Sequence, residues 1–244
     1  MLHYLEQEAR KSLEPQASVI IENVSRRQFV GGVLAISGLV LAVRISPASA
    51  LEPLKPYATG GLTMPDGYGM AHDPHVYVAI APDGAVTIVA HRAEMGTGIR
   101  TSLPLVIADE MEADWSRVKL VQAPGDEPRY GNQDTDGSRS VRHWIQPMRH
   151  CGAAARLMLE MAAAATWKVE LSEVQAQLHE VVHKPTNRKL GYGDLAAAAA
   201  GLPVPSADKV KLKEASAFRY IGKGNVRIAN IVDITTGKAI YGQT

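Results

Sequence analysis

The sequence predicts an α+β domain, and three stretches carry that prediction. His75–Ala81 and Ala85–His91 alternate apolar and polar residues around Pro82-Asp83-Gly84, the pattern of a β-hairpin. Ser140–Trp167 is rich in Ala, Leu and Met, the composition of a long helix. Gln175–His183 and Lys189–Tyr192 flank Pro185-Thr186-Asn187, a second hairpin.

The remaining elements fit between these. Thr101–Ala113 predicts a helix with Thr101 or Ser102 as N-cap and Pro104 in its first turn, where proline's missing N–H is tolerated. Arg117–Gln122 reads as a short strand and 123–139 as a polar loop. In the long helix, Gly152-Ala153-Ala154-Ala155 permits close packing, while Pro147 is expected to kink it or mark its true start. Leu195–Ala200 is a short helix ended by Pro203-Val204-Pro205. Phe218–Thr244 reads as extended and punctuated by glycine. No internal repeat is visible.

The amino-terminal region has a different character. Ser25-Arg26-Arg27-Gln28-Phe29-Val30 runs into an uncharged apolar stretch, Phe29–Val43, closed by Arg44. A spanning helix needs about 20 apolar residues, so this shorter run reads as the core of a twin-arginine export signal. Ala48-Ser49-Ala50 supplies a small-x-small cleavage site, and retention of the segment as a membrane anchor is equally compatible with the sequence. That export route carries folded proteins, commonly with a cofactor already inserted. The expected location is therefore the periplasmic side of a bacterial inner membrane. The chain divides into 1–50, signal or anchor; 51–74, a linker with Pro53, Pro56, Pro65 and Pro74; 75–205, a globular domain; and 206–244, an extended tail expected to pack on a partner chain.

Composition excludes some functions. The formal net charge is +1, with no clustered basic stretch of the kind nucleic acid requires. Cys151 is the only cysteine, so no disulfide forms within the chain and no iron–sulfur cluster is ligated by it alone. Cys151 reads as a buried thiol, and Met148, Met158 and Met161 as helix packing. His143, Arg149 and His150 read as surface or interface groups, and Trp144 and Trp167 as candidates for a subunit boundary.

His179-Glu180-Val181-Val182-His183 matches the HExxH pattern of zinc peptidases, which needs both histidines on one face of a helix. Two adjacent valines and Pro185 argue for a strand instead. At ~3.3 Å per residue the histidines would then stand ~13 Å apart, too far to share zinc.

Two loops that precede helices carry the stronger chemistry. Ala93-Glu94-Met95-Gly96-Thr97-Gly98 places glycines two apart, allowing positive φ and close backbone approach to a ligand. The helix beyond would aim unpaired N–H groups at the loop, an arrangement suited to phosphate. Gln133-Asp134-Thr135-Asp136-Gly137-Ser138-Arg139-Ser140 is dense in hydrogen-bonding side chains.

Together with Leu105–Met111, Trp115-Ser116-Arg117-Val118, Gly137–Arg142 and Leu190–Leu195, these loops resemble the cofactor domain of molybdenum hydroxylases. The nearest resemblance is to the large subunit of the isoquinoline 1-oxidoreductase and membrane-bound aldehyde dehydrogenase group, over roughly residues 25–242. Thr236–Gly242 resembles the opening of that family's next domain. The resemblance implies a fold of molybdopterin-binding hairpins and helices and a site for molybdopterin cytosine dinucleotide. Met95, Gly96, Thr97, Gly98 and Thr101 would approach that cofactor from the first loop. Gln133, Gly137, Ser138, Arg139 and Ser140 would approach from the second.

It further implies oxidation of an aldehyde or N-heteroaromatic with water as oxygen source. The rest of the large subunit, with the base glutamate, would lie on a partner chain. A 2Fe-2S subunit and a cytochrome c subunit with haem would pass electrons toward quinone. Two positions depart from the family pattern. Thr97 stands where glutamine is usual, and Asp136 where the first of two paired glycines is usual. They favour an alternative in which the chain is an accessory or anchor subunit that no longer binds cofactor.

Overall fold

The structure is a computed structural model that describes Ile21–Glu22 and residues 73–239. The twin-arginine motif, the apolar run, the cleavage site and nearly all of the linker lie outside the described residues.

A four-stranded sheet has the order β1-β4-β3-β2: Ile21–Glu22 (β1), Val78–Ile80 (β2), Val86–Ala90 (β3) and Val118–Gln122 (β4). The β2–β3 hairpin is antiparallel, with Val78 opposite Ile88 and Ile80 opposite Val86. β3 and β4 are parallel, Val86 opposite Val118 and Ala90 opposite Gln122. Parallel neighbours need a crossover, which helix α2 (Ile99–Glu110) supplies. Both loops of interest therefore lie beyond the carboxyl ends of parallel strands.

Local chemistry explains where elements begin. His75–Tyr77, expected in a strand, lies in a helical turn, α1 (Pro74–Tyr77), because Asp73 accepts from His75 N at 2.8 Å and Pro74 presets the first φ. Helix α2 starts two residues before Thr101. Its N-cap is Gly98, at φ 77°, and neither Thr101 nor Ser102 caps it. A short α3 (Glu127–Tyr130) lies within the expected 123–139 loop.

Helix α4 (Arg139–Trp167) is continuous through Pro147. Trp144, Pro147, Met148 and Cys151 are all buried there, so packing outweighs the lost backbone hydrogen bond. A Cβ on Gly152 would fall 2.9 Å from Glu110 Cβ and 3.0 Å from Ile107 Cα, and would also meet the Ile107 carbonyl oxygen. Glycine is required there because α4 crosses α2 at backbone contact. Trp144, considered for a subunit boundary, is instead fully buried in this chain's own core, tilted against His91 with ring centroids 4.2 Å apart.

The second hairpin is a three-stranded meander. β5 (Val174–Gln177), β6 (Glu180–His183) and β7 (Arg188–Gly191) pair antiparallel in that order, and α5 (Tyr192–Ala200) follows. Leu178 and His179, both at positive φ (41° and 73°), make the two-residue turn that splits the expected 175–183 strand. The HExxH pattern is thereby explained. His179 sits in that turn, and His183 ends a strand. Asp114 N donates to His179 Nδ1 at 3.1 Å, so the ring proton is on Nε2, which donates to the Gly84 carbonyl at 2.7 Å. His179 cross-links two turns and stacks on Tyr192.

The carboxyl-terminal segment differs from the extended run expected. It carries 3₁₀ turns at Ala207–Lys209 and Ala215–Ala217 and a helix, α6 (Ile231–Thr235), and it docks on its own domain. Buried Asp109 accepts from the backbone N–H groups of Arg219, Tyr220 and Ile221 at 3.1, 2.9 and 2.9 Å, and from Lys213 Nζ at 2.7 Å. Glu110 accepts from Arg149 Nε at 2.7 Å and Lys213 N at 3.0 Å. Arg149, read from sequence as a surface or interface group, is thus an anchor within this chain.

Candidate cofactor-facing loops

The β3 strand is followed by His91 and Arg92, both 1% exposed. Arg92 turns its guanidinium across the base of the second loop. Nε donates to Ser140 Oγ at 3.1 Å, and Nη1 donates to both the carbonyl (2.6 Å) and the side-chain oxygen of Asn132. Ala93 N donates to the Gln133 carbonyl at 2.9 Å, and the Thr135 hydroxyl donates to the Ala93 carbonyl. Gln133 locks the same junction: Nε2 donates to the His91 and Pro124 carbonyls at 3.1 and 2.9 Å, while Oε1 accepts from Asp126 N at 2.7 Å. Glycine loop and serine loop are joined at their bases.

Within the glycine loop the amides already have a partner. Glu94 Oε1 accepts from Gly96 N (2.6 Å) and Gly98 N (3.1 Å), and Oε2 accepts from Arg100 N (3.0 Å). Gly96 (φ 99°) and Gly98 (φ 77°) adopt the left-handed conformation this nest needs. Burial alone would raise the Glu94 pKa, but its backbone hydrogen bonds outweigh that and hold it below the usual range. The expectation that this helix start is free for phosphate is therefore revised: a carboxylate from the same loop fills it.

Met95, Gly96 and Thr97 are exposed, Met95 to 67%, and a Cβ on Gly96 would meet nothing within 4 Å. Gly98 is buried beside Ile228. Thr101 is buried, and its hydroxyl accepts from Ala229 N at 2.9 Å.

The serine loop presents its chemistry differently. Gly137 and Ser138 are exposed, and Ser138, at φ 54°, is the N-cap of α4 without a side-chain capping bond. The first turn of this 29-residue helix thus has no side-chain cap from Ser138, and Arg139 N donates to the Asp136 carbonyl at 3.0 Å. Arg139 pairs with Asp136, so the charge that Asp136 adds is matched locally. Ser140 is buried under Arg92. The His143 pKa is lowered by burial and then by the nearby positive charges of Arg142, Arg139 and Arg92, which marks a cationic rim at the head of α4.

The ten residues singled out in the sequence fall into two groups. Met95, Gly96, Thr97, Gly137 and Ser138 form the exposed crests. Gly98, Thr101, Gln133, Arg139 and Ser140 shape the loops from within or beside them. Arg92, which braces the serine loop, and Glu94, which fills the glycine loop, were missed. The available signal was a charged pair of positions directly after an apolar strand. Among the described residues, no group of three or more His, Cys, Asp or Glu side chains is arranged to hold a metal ion.

The site is thus a β-α-β crossover with two joined loops beyond its strands, and sequence comparison gives the class of domain. The chain belongs to the molybdopterin cofactor-binding domain family, whose model matches residues 54–239. It is 31% identical over 212 residues to isoquinoline 1-oxidoreductase subunit beta of Brevundimonas diminuta, covering 70% of this chain and 27% of that protein. It is 34% identical over 224 residues to a protein of Gluconacetobacter polyoxogenes named membrane-bound aldehyde dehydrogenase [pyrroloquinoline-quinone], covering 90% of this chain and 27% of that one. The chain thus spans about a quarter of the length of these relatives. Among solved structures, quinoline 2-oxidoreductase from Pseudomonas putida 86 aligns with 53% of this chain and 17% of its own, at 18% identity and a TM-score of 0.42.

Proposed function

We propose that this chain contributes one wall of a molybdopterin cytosine dinucleotide site in a periplasm-facing oxidoreductase complex. The observation that carries this is the joining of the two loops at their bases, through Ala93 N and the Gln133 carbonyl, with Met95–Thr97 exposed on one loop and Gly137–Ser138 exposed on the other. The donor set fits a phosphate-bearing group. Ser138 Oγ, the uncapped amino-terminal end of α4 and the Arg139–Arg142 rim would hold its anionic part, and open space over Gly96 would admit a flat ring system. Gly98, Thr101, Gln133 and Ser140 would keep the loops in shape behind it. No residue of this chain is assigned as the catalytic base, which is expected on a partner chain.

When bound, the cofactor supplies a two-electron oxidation in which a carbon centre gains oxygen from water. The relatives' names support an aldehyde, or else an N-heteroaromatic ring, as substrate. The partners would be the remaining large-subunit chain, a 2Fe-2S subunit and a cytochrome c subunit carrying haem, with electrons ending on quinone. Export would follow the twin-arginine route through Ser25–Val43. A second reading, a non-catalytic accessory subunit, draws on the Glu94 carboxylate that fills the glycine loop.

Cofactor analysis of the purified complex decides between them. Molybdenum and released cytidine monophosphate are expected near one per complex. Both should be lost in Thr97→Trp and Ser138→Trp variants whose circular dichroism is unchanged, since both side chains are exposed. Full cofactor content in both variants would overturn the proposal, and pyrroloquinoline quinone in place of molybdenum would overturn the cofactor assignment.

A further inference from the structure

We propose that Glu94 is the positioning residue of the glycine loop, an internal anion that sets the loop's shape and keeps an anionic part of any ligand out of it. The inference rests on the reading that this loop faces a cofactor, and it names what holds the loop ready.

Met95, Gly96 and Thr97 are exposed and bury no apolar surface that would order them. Two of the loop's residues also sit at positive φ. Such a segment samples many conformations unless hydrogen bonds restrict it. Glu94 restricts it from both oxygens: Oε1 bridges Gly96 N and Gly98 N, and Oε2 takes Arg100 N in the first turn of α2. Charge-assisted bonds of this kind are stronger than neutral ones.

The same helix turn is tied back to the sheet. Arg100 Nε donates to Gln122 Oε1 at 2.9 Å, and Gln122 Nε2 donates to the Ala90 and Arg92 carbonyls at 2.9 and 3.2 Å. A carboxylate at Glu94 therefore connects the loop crest to the end of β3. It also occupies the amides that a ligand phosphate would need, since two anions in one nest repel. The anionic part of a ligand is left to the serine loop. Glycine loop and serine loop take different parts of the ligand for that reason.

Amide hydrogen exchange on the full chain tests this without any cofactor present. In Glu94→Ala, the Gly96, Gly98 and Arg100 amides should exchange about tenfold faster or more than in the wild type. Acetate should restore their protection, while chloride at matched ionic strength should not, because only a carboxylate refits the nest. Inorganic phosphate should likewise protect these amides in Glu94→Ala and leave the wild-type loop unchanged. Glu94→Gln, which keeps an acceptor oxygen and loses the charge, should fall between the two and serves if Glu94→Ala fails to fold. Wild-type exchange at the three amides in Glu94→Ala, or in Glu94→Gln where only that variant folds, would overturn the proposal; so would restoration by chloride equal to that by acetate. A complex without molybdenum would defeat the cofactor reading and leave the exchange result standing.

Discussion

Arg92 Nε donates to Ser140 Oγ at 3.1 Å, with both groups shielded from water. Arg92 lies two residues beyond β3 and Ser140 in the first turn of α4, so one guanidinium couples the stems of the two loops that sequence alone had to treat separately. A buried guanidinium is stable only with acceptors around it, and Asn132 supplies two more.

Replacing Arg92 by Met should cost ~2–4 kcal/mol, because the Asn132 and Ser140 oxygens lose their donor inside the protein. Urea unfolding measures that loss. Amide exchange should also rise in both 93–100 and 133–140, whereas a loss confined to one loop would show that they are not coupled. Arg92→Lys should recover only part, since an ammonium lacks the planar fork that reaches Ser140 and Asn132 together.

His91 gives a pH dependence with a defined sign. Its ring is 1% exposed, lies edge-on to Tyr77 and tilted against Trp144, and neither nitrogen has a hydrogen-bond partner among the described residues. Burial, and then the neighbouring Arg92 charge, lower its pKa from 6.5 to about 3. The unfolded chain binds this proton and the folded chain refuses it. Stability is therefore fully present above pH 6.5 and is lost as pH falls toward 3, with a slope of up to ~1.4 kcal/mol per pH unit from this group. His91→Phe should flatten the dependence between pH 4 and 6, followed by thermal unfolding, and should cost little at pH 7. An unchanged slope would place the acid sensitivity elsewhere.

Asp109 anchors the carboxyl-terminal segment. Burial would raise its pKa, yet the Lys213 ammonium and three backbone N–H groups hold it below its ordinary 3.8. Its stabilisation is present above that value and lost as pH falls below it. Asp109→Ala should cost ~2–4 kcal/mol, since Lys213 would keep a buried charge with one partner fewer. Limited proteolysis should then cut between 211 and 230. Resistance equal to wild type would mean that Glu110, together with Glu112, which accepts from Arg219 Nη2 at 2.9 Å, holds the segment unaided.

Much of the architecture was legible because it rests on local patterns. The Pro82-Asp83-Gly84 hairpin, the long Ala-rich helix and the 118–122 strand follow from alternation, turn chemistry and helix propensity, which act within a few residues. The pair of loops was legible for the same reason, as glycine spacing and clustered serines stand next to each other in the chain. Boundaries were less so. The start of α2 at Gly98 depends on Glu94 acting as a cap from four residues away, and no short-range capping pattern describes that. The split at Leu178-His179 was hidden because neither residue is a usual positive-φ former. Pro147 does not stop α4 because burial of Trp144 and Met148 on that helix outweighs one missing hydrogen bond.

The sequence by itself determined the class of domain, the two loops and the family to which they point, because each is written in contiguous residues. Only the tertiary structure decided what fills and joins those loops. Glu94 closes one nest, Arg92 ties β3 to α4, and Asp109 captures a segment that begins more than a hundred positions later at Lys213. These contacts depend on which charges are removed from water together. Burial of that kind is a property of the folded chain and has no periodicity to be read beforehand.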